Sequence, residues 1–146
     1  MIILSKFAEN LFVLMSERNL KAPKLATALN VDRTSITEYL RGKRFPNFKV
    51  FVSFLEFFNV SADVFLGRAE YSNAKEFHPI SPFGTTLRRV MAETKTTQYR
   101  IEKDLHISGG TMYYWLINKS LPTVENLDKL ADYMEVSIDY LLGRVL

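Results

Sequence analysis

The fold is decided by the stretch Lys24 to Pro46, KLATALNVDRTSITEYLRGKRFP, and its counterpart Arg100 to Pro122, RIEKDLHISGGTMYYWLINKSLP. The two lie 76 residues apart, and the register between them holds outward without a gap, from Ser5/Ser81 to Arg68/Arg144. Of those 64 paired positions 15 are identical, where unrelated sequences of ordinary composition would share roughly 4. Apolar falls on apolar at Leu11/Leu87, Met15/Met91, Leu25/Ile101, Leu29/Leu105, Ile36/Met112, Phe51/Leu127 and Phe58/Met134. Each copy closes on Leu-Gly-Arg, at Leu66-Gly67-Arg68 and Leu142-Gly143-Arg144. An internal repeat fixes the structural unit before any residue is given a role.

Within each stretch, Leu25/Leu29 and Ile101/Leu105 stand one turn apart on a short helix. A tight break follows, Asn30-Val31-Asp32 and His106-Ile107-Ser108. Asp32 and Ser108 suit the N-cap of the next helix. That helix is expected over about Arg33–Leu40 and Gly109–Leu116, buried through Ile36, Tyr39 and Leu40, and through Met112, Trp115 and Leu116. Gly42 and Asn118 suit a left-handed stop, with Pro46 and Pro122 shortly beyond.

Working outward, Ser5 and Ser81-Pro82 are candidate starts of a first helix. Its buried stripe is Phe7, Leu11, Leu14 and Met15, or Phe83, Leu87, Val90 and Met91. Fourth helices are expected after Asn47 and Thr123. Short fifth helices run from near Ser61 and Ser137 to Gly67 and Gly143. No strand-like alternation is long enough to count. The expectation is all-α, with five helices per copy: domains at 1–68 and 81–146, and a polar linker at 69–80 that spans roughly 40 Å when extended.

Composition narrows the function classes. Nearly half the residues are apolar, which excludes a disordered chain. No run of about 20 apolar residues suggests a membrane span. Met1–Leu4 is too short for the core of a signal peptide. With no cysteine, disulfides and thiolate metal sites are excluded, and a reducing cytoplasm is the expected location. The histidines, His78 and His106, have no acidic partner at ligand spacing, so no metal, cofactor or enzymatic role is expected. Net charge is +3, all of it in residues 1–76, which hold 11 basic and 8 acidic residues; residues 77–146 hold 8 of each.

A short helix, a tight turn and a second short helix opening on exposed polar residues make a helix-turn-helix. The second helix must offer its first turn to the major groove, so those positions stay out of the core. Cations must flank it to meet phosphates. In the first copy Arg33, Thr34, Thr37 and Glu38 face outward, and Arg41, Lys43 and Arg44 follow at once.

Both copies resemble the Cro/repressor helix-turn-helix family of phages and bacteria. In the first, the resemblance rests on Lys24-Leu25-Ala26, Asn30-Val31-Asp32, Ser35-Ile36, Tyr39 to Pro46, Val60 to Asp63 and Leu66-Gly67. In the second it rests on Gln98, His106-Ile107-Ser108, Trp115, Asn118-Lys119, Pro122 and Val136 to Gly143. The resemblance implies a lambda repressor-like fold and a DNA-binding, usually dimeric, transcriptional regulator, expected to be a repressor, with double-stranded DNA as partner. By matching position, Arg33, Thr34 and Glu38 would stand at base edges with Thr37 beside them, and Lys24, Arg41, Lys43 and Arg44 would hold phosphates. In the second copy Gln98, Gly109, Gly110, Tyr113, Tyr114 and Lys119 fall on the matching positions.

Each copy departs from the pattern. The family glutamine is Ala22 in copy one, followed by Pro23. In copy two the family alanine is Glu102, expected to turn outward or loosen the packing, and Gly109 and Gly110 offer no side chain for reading. Tyr113 and Tyr114 are available to a thymine methyl or a phosphate, or are plain surface aromatics. Copy one also carries Phe12, Val13, Val50, Val52 and Phe57 where copy two has Arg88, Arg89, Asn126, Asp128 and Tyr133. These are expected to form an apolar face for the other repeat or a second chain. The competing function is a protein-interaction module, antirepressor- or antitoxin-like, with weak or no DNA binding.

Overall fold

The computed structural model describes residues 2–146. Every regular element among them is a helix, and the chain divides into two units, Met1–Asn73 and Ala74–Leu146. The first holds α1 (Ile2–Glu17), α2 (Ala22–Leu29), α3 (Arg33–Leu40), α4 (Phe48–Phe58) and α5 (Ala62–Phe65). The second holds α6 (Phe83–Glu93), α7 (Gln98–Leu105), α8 (Gly109–Leu116), α9 (Val124–Met134) and α10 (Ile138–Leu141). Phe77 and His78 belong with the second unit: Arg144 lies 4.3 Å over the Phe77 ring, and the His78 amide donates to the Arg144 carbonyl at 2.8 Å.

Short polar side chains start most helices. Asp32, Asn47 and Ser61 accept amide hydrogen bonds at the starts of α3, α4 and α5, as do Thr97, Ser108, Thr123 and Ser137 at α7 to α10. Such caps satisfy amides that have no partner inside the helix. The first helices differ from the sequence expectation. α1 already begins at Ile2, so Ser5 lies inside it. Pro82, not Ser81, is the cap residue of α6, and the Gly84 amide is satisfied by Asn118 Oδ1 at 2.7 Å, from the turn after α8.

The backbone repeats even where residues do not. Left-handed φ values occur at Asn19/Lys95, Asn30/His106, Gly42/Asn118, Asn59/Glu135 and Gly67/Gly143. Asn and Gly tolerate this region best. The second unit therefore holds Lys95 and Glu135 against their preference.

The cores are built differently. Phe7 stacks on Phe65 at 4.9 Å and meets Phe45 and Phe54 edge-on at 5.5 and 6.1 Å. Phe51 and Tyr39 join this cluster. The second core is largely aliphatic around Leu87, Leu127, Leu130 and Leu141, with Trp115 edge-on to Phe83. One expectation is corrected. Val52, assigned to the outer face, is only 6% exposed. It lies four residues after Phe48 and three before Leu55, on the buried stripe of α4. Phe12, Val13 and Phe57 are exposed and Val50 half-buried.

Candidate nucleic-acid interface

In the first unit the turn between α2 and α3 is closed by the Val31 amide, which donates to the Ala26 carbonyl at 2.9 Å. Leu25 and Ile36 are fully buried and Tyr39 nearly so, which fixes α3 against α2 from behind. The front of α3 is thereby left over. Arg33 and Thr34 are exposed in its first turn, and Thr37 and Glu38 are half-buried one turn on. Thr37 Oγ1 donates to the Arg33 carbonyl at 3.3 Å.

The surrounding cations fall into two groups. Lys24, Arg33, Arg41 and Lys43 are exposed, and their side chains have no ion-pair partner among the described residues. Arg44 is folded back onto α3. Its guanidinium donates to Ser35 Oγ at 3.1 Å, lies 3.7 Å from Glu38 Oε2 and sits 5.0 Å over the Tyr39 ring. Four cations are thus free to meet phosphates or base edges, while a fifth steadies Glu38. From Lys21 to Arg44 there are six basic and two acidic residues.

The second unit presents the same geometry with different chemistry. Met112 and Trp115 pin α8 from behind, and Gly109, Gly110, Tyr113 and Tyr114 form its exposed front. Tyr113 and Tyr114 are 55% and 49% exposed, with the Lys119 ammonium 5.9 Å over the Tyr114 ring. Gln98 opens α7 half-buried, behind the Thr97 cap. Its partner α2 opens on Ala22 after Lys21, with no side-chain cap. Glu102 is half-buried, its carboxylate directed at Gly109. From Thr97 to Ser120 there are three basic and two acidic residues.

Beyond α3 and α8, sequence reasoning overlooked a clip. Arg144 Nη1 donates to Asp139 Oδ1 at 2.7 Å, with both side chains almost wholly buried. Arg68 Nε does the same to Asp63 Oδ1 at 2.9 Å. Both partners sit among the 15 identities, at the same five-residue spacing, which was the available signal. The clip closes the end of each unit and lies outside α3 and α8.

On α1, Phe12 is 64% and Val13 48% exposed. In the second unit the matching Arg88 folds over the end of α8, its Nε donating to the Leu116 carbonyl at 3.3 Å. Phe12 cannot do this for Leu40. A hollow of about 220 Å³ remains there, lined by Phe12, Met15, Leu20, Ala22 and Leu40. Among the described residues no helix is long and apolar enough to cross a membrane, and no His/Asp/Glu group is placed to hold a metal ion.

Two family models match the chain. Residues 14–65 match the helix-turn-helix model, and residues 86–145 match the Cro/C1-type HTH DNA-binding domain. No curated protein and no solved structure gives a significant match. Each match falls within one of the two units just described, and they include α2–α3 and α7–α8. The chain belongs to the Cro/C1-type helix-turn-helix family, with two such domains in tandem, and is a DNA-binding transcription regulator.

Proposed function

We propose that the chain is a sequence-specific repressor whose first unit reads the major groove with α3. The observation that carries this is the unpaired, exposed Arg33 in the first turn of a helix fixed from behind, flanked by exposed Lys24, Arg41 and Lys43. Arginine reads guanine through two hydrogen bonds to O6 and N7, worth about 1–3 kcal/mol of discrimination. Thr34 and Glu38 complete the reading edge, and the cations set its register on phosphates. The role is one of binding, with no catalytic step. Selecting a site from random duplex DNA and placing it over a reporter promoter tests the assignment. Expression should fall with the wild-type chain and recover with Arg33→Ala; rising expression would make the protein an activator.

The exposed Phe12, Val13 and Phe57 support self-association through the first unit. Phe12→Arg/Val13→Arg installs the second unit's residues on the same helix. A folded variant of unchanged mass in solution would remove these residues from the interface.

The apolar face, the uncapped start at Ala22 and the glycines of α8 favour a second reading, a protein-interaction module that retains the fold. Salt separates the two. A DNA binder with six phosphate contacts loses on the order of a thousandfold in affinity between 50 and 200 mM salt. An interaction module would not bind random duplex even at low salt.

A further inference from the structure

The two reading helices differ through a coupled pair of positions. In the first unit α2 carries Ala26, 5% exposed, and α3 opens on exposed Arg33. At the matching positions the second unit has Glu102 on α7 and Gly109 opening α8. Bulk has moved from one helix to the other, and the charge has changed sign. The exchange is physically linked. Glu102 Oε1 lies 3.1 Å from the point where a Cβ on residue 109 would stand, with Cδ at 3.7 Å and Oε2 at 3.9 Å. The carboxylate therefore fills the space from which a side chain at 109 would start. It also lies beside the first turn of α8, where partnerless amides and the helix dipole favour an anion. Gly110 has nothing within 4 Å of its own Cβ position, so the carboxylate is directed specifically at Gly109.

We propose that Glu102 determines the specificity of the second unit by keeping α8 off DNA, and that Gly109 is what seats it. The inference rests on the reading assigned to the first unit, because it takes Arg33 as the opposite case. A duplex approaching α8 meets a carboxylate at the tip of the helix, where α3 offers a guanidinium. The other charged groups of α7 and its flank are mixed in sign, and Arg100 stands at the position of Lys24 in the first unit. Arg100 and Lys103 are exposed on α7, Lys103 over the Tyr99 ring at 6.0 Å. Lys119 lies over Tyr114, and Asp104 accepts a hydrogen bond from the Tyr133 hydroxyl. Glu102 is the acid whose carboxylate lies within 4 Å of the Cβ position on the first residue of α8.

Glu102→Gln removes the charge and keeps the shape, and is made in the full chain. Binding to a random 30-base-pair duplex at 50 mM salt should tighten by about fivefold, the effect of one like charge at close range in water. Glu102→Ala/Gly109→Arg rebuilds the first unit's pair. It should bind tighter still and lengthen the footprint. Unchanged or weaker binding by Glu102→Gln overturns the proposal. Weakening confined to one C·G pair would make Glu102 a reader that accepts from cytosine N4. Thermal melting checks the fold; if the double variant does not fold, Glu102→Gln decides alone. The reading of the first unit fails separately, if Arg33→Ala leaves DNA affinity unchanged.

Discussion

The first unit packs Phe7, Phe51, Phe54, Phe58 and Phe65 where the second packs Phe83, Leu127, Leu130, Met134 and Leu141. All ten are buried, and both cores support the same five helices. Interiors accept such exchanges when total volume and pattern are kept. The features that did not drift are the polar ones that set direction: a cap before α3 and α8, left-handed residues at five matched turns, and the Asp–Arg clip. The surface diverged most. The first unit's α3 opens on a free guanidinium and the second unit's α8 on an exposed glycine with a carboxylate at its Cβ position. The comparison separates what makes the fold from what gives each copy its task.

The largest expected effect concerns the clip, and it ranks the copies. Arg144→Ala removes the arginine from Asp139 in a site where the pair is 2% and 5% exposed. Breaking a buried pair from one side costs about 3–5 kcal/mol. Arg68→Ala should cost less, because the Arg68 and Asp63 side chains are 13% and 8% exposed. Urea unfolding measures both. A larger loss from Arg68→Ala would mean that burial does not set the difference.

Next come the proposed phosphate contacts. Lys43→Ala and Arg41→Ala should each weaken binding to every sequence alike and flatten the salt plot by about 1. Lys119→Ala, at the position matching Lys43, should leave both quantities unchanged. An equal effect of Lys43→Ala and Lys119→Ala would make the copies equivalent on DNA.

The smallest effect is alkaline. The Tyr133 hydroxyl donates to Asp104 and the Tyr140 hydroxyl to Glu93, and these hydrogen bonds, with some desolvation and the carboxylates' charge, raise both phenols above their ordinary value. The first unit has Phe57 and Val64 at these positions. A raised phenol pKa stabilises the fold while the phenol is protonated. That stabilisation is present below about pH 10, the unfolded value, and is lost as pH rises through the folded one. The melting temperatures of wild type and Tyr133→Phe/Tyr140→Phe should therefore converge above about pH 10. A constant gap from pH 8 to 11 would contradict it.

Much of this was legible in the sequence, for a physical reason. Caps, left-handed stops and helical stripes are local, and a gapless repeat shows each of them twice. Asp32, Ser108, Gly42 and Asn118 were therefore assigned from neighbours alone. The start of α6 was not, because Asn118, 34 residues away in sequence, supplies its hydrogen bond. Val52 was misplaced because its partner Asp128 is polar, although its own spacing to Phe48 and Leu55 sets it on the buried stripe. At the candidate interface, residue types pointed to Arg33 and the flanking cations, which are exposed. They did not show that Arg44 folds onto Glu38 and Tyr39, or that the Glu102 carboxylate lies at the Cβ position of Gly109. Those are side-chain choices made in three dimensions.

The division of labour is tested most directly by footprinting the full chain on its selected site, with Arg33→Ala and Tyr113→Ala/Tyr114→Ala beside wild type. Arg33→Ala should erase the protection at low protein concentration, and the tyrosine variant should leave it intact. Protection that survives Arg33→Ala and disappears with the two tyrosines would contradict the account.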